Sequence, residues 1–265
     1  MFIDINTYVG HWPFRQLVNN TLASLDKLAQ DNGITHMVVS NVEGLFLKDC
    51  IDANYKLLDE LKAYTGKTVF LPLAIVNPTY PEWELDARAM IDAGFMGFEI
   101  SPTYHMYGFG PELPFDSYTA VHYAGQVLKL AKELDVPVRF CSSFENFRAR
   151  SNHESHSNPS GADLRALMAG DPDTHLLLTS VHAGSVADAA KARPNTYFDI
   201  TAVTASAINT PSCEGLVSAV SGDQICFGSL APFQYIEAPL VCMEYSVIDA
   251  DKAKVNAARA FKSLR

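Results

Sequence analysis

The sequence has no block of lysine or arginine, and its formal net charge is −10. A broad basic surface for nucleic acid or an anionic membrane is therefore excluded. No C-x-x-C occurs, and Cys50, Cys141, Cys213, Cys226 and Cys242 are widely spaced and odd in number. That argues against a disulfide framework and for a reduced, cytoplasmic protein. No apolar stretch approaches the ~18 residues of a membrane span. The N-terminus carries Asp4 where a signal peptide would need basic residues and then a long apolar run. No Gly-, Pro- or Ser-rich linker divides the chain and no close repeat occurs, so residues 1–265 read as one domain.

What is present is core-forming material: 48% of residues are hydrophobic, enough for a large interior. Short apolar runs alternate with helical periodicity, the signal of βα units. The strand candidates are Phe2–Asn6, His36–Asn41, Val69–Asn77, Met96–Ser101, Val136–Cys141, His175–His182, Thr196–Thr201 and Gln224–Ser229. Most show little alternation, as expected for parallel strands covered on both faces. Helices are expected over Thr21–Asp31, Ala53–Tyr64, Trp83–Ala93, Tyr118–Leu134, Ala162–Ala169, Val186–Arg193, Cys213–Ser221 and Asp251–Leu264. Eight strand–helix units in this length point to an α/β fold, the (β/α)₈ TIM barrel. A doubly wound sheet is the alternative, but the first turn lacks its usual G-x-G-x-x-G.

In such a barrel, sites form where strands end. The first strand is followed by Asn6, Tyr8, His11, Trp12 and Arg15, a dense set of hydrogen-bonding groups. His36 and His175 lie at strand starts, hence at the stability face, and His122 lies in a helix. After the fourth strand come Tyr104 and His105, which either face substrate or belong to an aromatic cover. After the fifth, Cys141 precedes a long polar stretch with Glu145, Arg148, Arg150, His153 and His156. Ser143–Asp163 is read as a lid, because long irregular loops in compact domains are usually functional or disordered. Its arginines suit a carboxylate, which guanidinium binds through two parallel hydrogen bonds. His182 closes the sixth strand. Asp199 sits inside the seventh, serving either a buried neighbour or the pocket, and Thr201 ends it. At the eighth, Gly228 allows close approach and Ser229 stands at the tip.

The order I-D-x-N, GFMGFEISPTYH, PVRFC, SVHAG, NTYFDIT, CFGSLAP and NAARAF resembles the amidohydrolase-related TIM-barrel hydrolases, in their aminocarboxymuconate-semialdehyde decarboxylase-like branch. That family implies a metal-dependent hydrolase or decarboxylase. It also implies D-x-H-x-H at the first strand, a histidine ending the fifth, another ending the sixth, and F-G-S-D-x-P at the last. Here those places hold Asn6 and Tyr8, Cys141, His182 and Leu230. The resemblance thus keeps one of five ligand positions, whereas a catalytic zinc takes about three protein ligands.

These residues suggest a hydrolase or lyase acting on a small carboxylic acid, ester or lactone without a metal cofactor. His182 and His105 are its expected acid and base, since a histidine pKa near ~6.5 suits proton transfer. Arg15 and Arg148 would hold an anionic substrate; Asn6 and Tyr8 would donate to a developing oxyanion. His11, Tyr104, Cys141, Glu145 and Asp199 complete the expected binding wall. Two other readings stand: a metal hydrolase with an unusual ligand set, zinc being the fallback, and a barrel that binds a ligand without turnover. A homo-oligomer is left open.

Overall fold

The computed structural model describes residues 1–107, 117–145, 159–202 and 210–265. Strands β1 (Ile3–Val9), β2 (His36–Asn41) and β3 (Val69–Pro72) form one parallel sheet in that order. Strands β4 (Ala74–Val76), β5 (Phe98–Ile100), β6 (Val138–Cys141), β7 (Leu176–Thr179), β8 (Thr196–Asp199) and β9 (Ile225–Cys226) form a second, also in sequence order. Only Leu73 separates β3 from β4, and its N–H still donates to Val39 O at 2.9 Å. The two segments are one run of chain that pairs with β2 in its first half and β5 in its second. At the other seam Ile5 N donates to Phe227 O at 3.1 Å and Tyr8 N to Ala231 O at 2.9 Å. The β9 segment thereby returns to β1, and the eight runs make a (β/α)₈ barrel.

Local sequence explains the outer elements. Thr21 caps the helix Leu22–Asp31 through a reciprocal pair with Ser24, and Leu22, Leu25 and Ala29 supply its buried face. Ser160 caps Gly161–Met168 in the same way with Asp163. Gly10 ends β1 at φ 98°, and a Cβ there would stand 2.2 Å from Asn41 Oδ1, so only glycine lets the chain turn into His11–Arg15.

Two expectations are corrected. A further helix, Glu237–Glu244, lies between the eighth strand and the end of the chain. The expected terminal helix stops at Val255 and continues as short 3₁₀ turns. Asn256 accounts for the break, because its amide donates to Gly222 O and Ile225 O and ties the backbone to the barrel floor. All five cysteines are free and buried. Among the described residues no helix is long and apolar enough to cross a membrane.

Candidate functional site

Strand periodicity stacks the barrel interior in layers, because alternate residues share a face. The lower layer is apolar: Ile3, Ile5, Val38, Leu71, Leu73, Leu177, Tyr197 and Cys226 pack together. Two residues further along the same strands the lining becomes polar, with Ser40, Thr179 and Asp199, joined by Glu99 and Arg139. All are buried.

Arg139 organises this layer. Its Nη2 lies 2.6 Å from Glu99 Oε2 and 2.8 Å from Ser40 Oγ. Its Nη1 donates to Ile5 O at 3.1 Å and Val38 O at 3.0 Å. Tyr8 donates its phenol proton to Glu99 Oε1 at 3.0 Å, and the guanidinium carbon sits 4.4 Å from the Tyr8 ring centroid. Burial alone would depress the Arg139 pKa, but Glu99 together with Tyr8 and Cys141 outweighs it and the net direction is upward. Burial also drives the Tyr8 phenol well above its ordinary value, so it stays protonated.

Beside this cluster lie two carboxyl groups. Asp199 Oδ2 accepts from Asn6 Nδ2 at 2.8 Å and from the Thr201 hydroxyl, and its Oδ1 accepts from Ser180 N at 2.8 Å. A Cβ on Gly228 would stand 2.5 Å from Asp199 Oδ2, which is why the last strand has no side chain at that level. Asp4 Oδ1 accepts from Asn6 N and Ser229 N, each at 3.0 Å. Burial pushes the Asp4 pKa from 3.8 up to about 7, against the opposing hydrogen bonds from Ser229 and Asn6. Burial likewise raises Asp199, in spite of Thr201, Ser180 and Asn6. Asp4 can therefore hold a proton close to neutral pH, and Asp199 keeps its proton to a higher pH than an ordinary carboxyl group.

The Asp4 shift has a readable sign. The folded state keeps a proton that the unfolded chain has lost between about pH 4 and pH 7. Stability is full below the unfolded value and falls as pH rises through the folded one. The loss is roughly 4 kcal/mol at one Asp, using about 1.4 kcal/mol per pH unit. Asp4→Asn should remove that slope, since its carbonyl can accept the same two N–H bonds. Urea unfolding of both proteins at pH 5 and pH 8 checks this; equal slopes in the two would contradict it.

Above the polar layer the mouth is filled with rings. Trp12 packs on Phe233 with centroids 4.8 Å apart, on Phe14 at 5.4 Å and on Phe144 at 5.7 Å. Tyr104 closes on Phe144 at 5.5 Å and Phe46 at 5.6 Å. Arg15 crosses the top, pairing its Nε with Glu145 Oε1 and donating Nη2 to Phe233 O at 2.9 Å.

The expected site residues separate accordingly. Asn6, Tyr8, Cys141 and Asp199 meet in the buried layer, and Arg15, Tyr104 and Glu145 meet in its cover. Arg148 and most of the expected lid, residues 146–158, lie outside the described residues. His11 is exposed, with its backbone N–H on Glu43. His105 does not join the layer: its Nε2 faces Gly44 O at 3.1 Å and Cys50 Sγ at 3.5 Å, and burial depresses its pKa to about 4. His182 does not join it either. The sixth strand ends at Thr179, and Ser180 at φ 56° turns the chain outward. His182 is therefore exposed, beside a separate cavity bounded by Val181, Ala202 and Leu216. Cys141, without His182 beside it, bonds Ser143 O and Ser180 Oγ, and burial pushes its thiol up to about 11. It remains a thiol at neutral pH. Glu99, Arg139 and Asp4 were missed by the sequence reading.

No protein-family profile and no curated protein matches the chain. Solved structures do match over its whole length. The 2,6-dihydroxybenzoate decarboxylase from Rhizobium superimposes with a TM-score of 0.68 at 16% identity, covering 99% of this chain and 98% of that one. A dihydroxybenzoic acid decarboxylase from Polaromonas, with bound manganese and 2-nitroresorcinol, gives 0.68 at 15% identity over 100% and 97%. The 5-carboxyvanillate decarboxylase from Novosphingobium aromaticivorans, also with manganese, gives 0.62 at 13% over 99% and 97%. This chain has the fold of the amidohydrolase-like decarboxylases.

Within that fold the expectation of no metal cofactor is overturned, because two of these structures hold manganese. The donors of this chain differ from the histidines and carboxylate that the family resemblance implies. Tyr8 is spent on Glu99, Leu230 cannot ligate, and His182 is turned away. Among the described residues no three His, Cys, Asp or Glu side chains gather as a metal site. The unsatisfied hard donors of the layer are Asp4 Oδ2 and Asn6 Oδ1, both buried without a hydrogen-bond partner among the described residues. Oxygen donors suit manganese, but two fall short of the set an octahedral cation takes.

Proposed function

We propose that the protein is a carboxy-lyase acting on a small aromatic carboxylic acid. The observation that carries this reading is the stacking of three features at one barrel end. They are a ring-lined mouth, an arginine at its rim, and beneath them buried carboxyl groups with raised pKa values. The same reading is supported by structural neighbours that are decarboxylases of hydroxybenzoates, one solved with 2,6-dihydroxybenzoate.

The chemistry follows from these parts. Edge-to-face contacts with Trp12, Phe144 and Phe233 would hold an aromatic ring. Arg15 would bind the carboxylate in its fork. Loss of carbon dioxide breaks the bond between ring carbon and carboxyl carbon and leaves the electron pair on the ring. That carbon must then take a proton, and in this reading Asp199, whose carboxyl group holds its proton above the ordinary range, would give it. Asn6, Thr201 and Ser180 fix its orientation. The cationic Arg139 beneath Tyr8 stabilises negative charge that develops above it.

The test is a panel of hydroxybenzoates labelled with ¹³C at the carboxyl group, incubated with the protein with and without added manganese. Labelled bicarbonate should accumulate for at least one of them. Release from none, alongside hydrolysis of aryl esters or lactones, would move the assignment to a hydrolase.

A further inference from the structure

The Arg15–Glu145 pair is unusual in its asymmetry. The Arg15 side chain is 35% exposed, whereas that of Glu145 is 1% exposed. Glu145 follows Phe144, one of the rings of the mouth, and is buried rather than in solvent. One of its oxygens meets the guanidinium, and Oε2 has no hydrogen-bond partner among the described residues. A buried carboxylate with an idle oxygen is poorly compensated. Arg15 is also anchored elsewhere, through Nη2 on Phe233 O, so its position does not depend on Glu145.

We propose that Glu145 is an internal stand-in for the substrate carboxylate. It occupies Nε of Arg15 through one oxygen, and an incoming arenecarboxylate exchanges with it. The inference rests on the assignment of Arg15 as the carboxylate-binding residue. It adds that the protein carries its own competitor for that residue. Exchange of one carboxylate for another on one guanidinium leaves the number of charge-assisted bonds unchanged. The ring of the ligand then replaces the Phe144–Trp12 contact, so selectivity falls on aromatic acids over aliphatic ones.

Isothermal titration with 2,6-dihydroxybenzoate, and with resorcinol as the ring without a carboxylate, tests this. Glu145→Gln keeps size and removes charge. It should bind the acid roughly tenfold more tightly than wild type, the order expected when one charge-assisted bond no longer competes. Resorcinol affinity should not change. Arg15→Gln should bind the acid weakly, and adding Glu145→Gln to it should bring no gain. Glu145→Asp, whose shorter reach weakens its hold on Arg15, should also tighten acid binding and serves if the glutamine variant folds poorly.

Equal acid affinity in wild type and both Glu145 variants, with Arg15→Gln still weak, would overturn the exchange and leave the carboxylate-binding role of Arg15 standing. Equal gains for the acid and resorcinol would make Glu145 a steric plug, which also overturns it. No binding of the acid by any of these proteins would remove the functional reading together with this one.

Discussion

Arg139→Met is expected to destabilise the protein by about 3–5 kcal/mol. The substitution removes five donors from a fully buried position and leaves the Glu99 carboxylate without its counter-charge. The Ile5 and Val38 carbonyls and the Ser40 hydroxyl lose the Arg139 donor at the same time, although Val38 O keeps the Thr7 hydroxyl and Ser40 Oγ keeps Leu73 O. Removing both charges is a different matter, because a buried ion pair replaced by well-packed apolar groups is often neutral. The double variant Arg139→Met/Glu99→Leu should recover the part of the loss that comes from the unpaired Glu99 charge, while the bonds to Ile5 O, Val38 O and Ser40 Oγ and the one from the Tyr8 phenol stay lost. Urea unfolding of wild type, both single variants and the double variant measures the coupling. A single Arg139→Met variant within about 1 kcal/mol of wild type would mean that the pair is solvated and that the layer is not closed.

The second large effect concerns Asp199. Asp199→Asn should lower turnover of any arenecarboxylate substrate by about 10²–10⁴-fold, the range for loss of one general acid. Ligand affinity should change far less, because Asp199 bonds Asn6, Thr201 and Ser180 rather than the mouth. Asparagine can accept from Ser180 N through its one carbonyl oxygen and donate its amide to the Thr201 hydroxyl oxygen or to Asn6 Oδ1, which lacks a partner among the described residues, so the fold should persist. The pH profile should separate the roles. Wild-type turnover should fall as pH rises and the raised carboxyl groups ionise, while the variant's residual rate should lack that limb. A variant that turns over at the wild-type rate would remove Asp199 from the reaction.

Much of the architecture was legible because it depends on local rules. His36–Asn41 stands where the apolar Met37–Val39 run put it, and the helix after Thr21 starts at its cap. The polar layer was harder to read. Arg139 sits between Val138 and Phe140, and Glu99 between Phe98 and Ile100. A charge in the middle of an apolar strand does signal a buried partner, but the partner lies 40 residues away, and only the closed barrel brings them together. Asp4 carried the same weak signal. His182 was misplaced for a backbone reason: the left-handed turn at Ser180 reverses the direction in which the strand end points. Serine does not advertise that conformation as glycine or asparagine would. The metal expectation failed on another ground. Counting imidazole positions describes one ligand set, whereas the manganese-bound relatives in structure are matched by fold at 15% and 13% identity.

The central claim is that this barrel end breaks a carbon–carbon bond and protonates the ring carbon that lost the carboxyl group. Turnover of a hydroxybenzoate in D₂O, followed by proton NMR and mass spectrometry of the product, tests it most directly. The account predicts one deuterium per product molecule, located at the carbon that carried the carboxylate, with formation slowed by Asp199→Asn. Hydroxybenzoate recovered with its carboxyl group in place and no deuterium on that carbon, while an aryl ester or lactone is hydrolysed, would contradict it and make the protein a hydrolase.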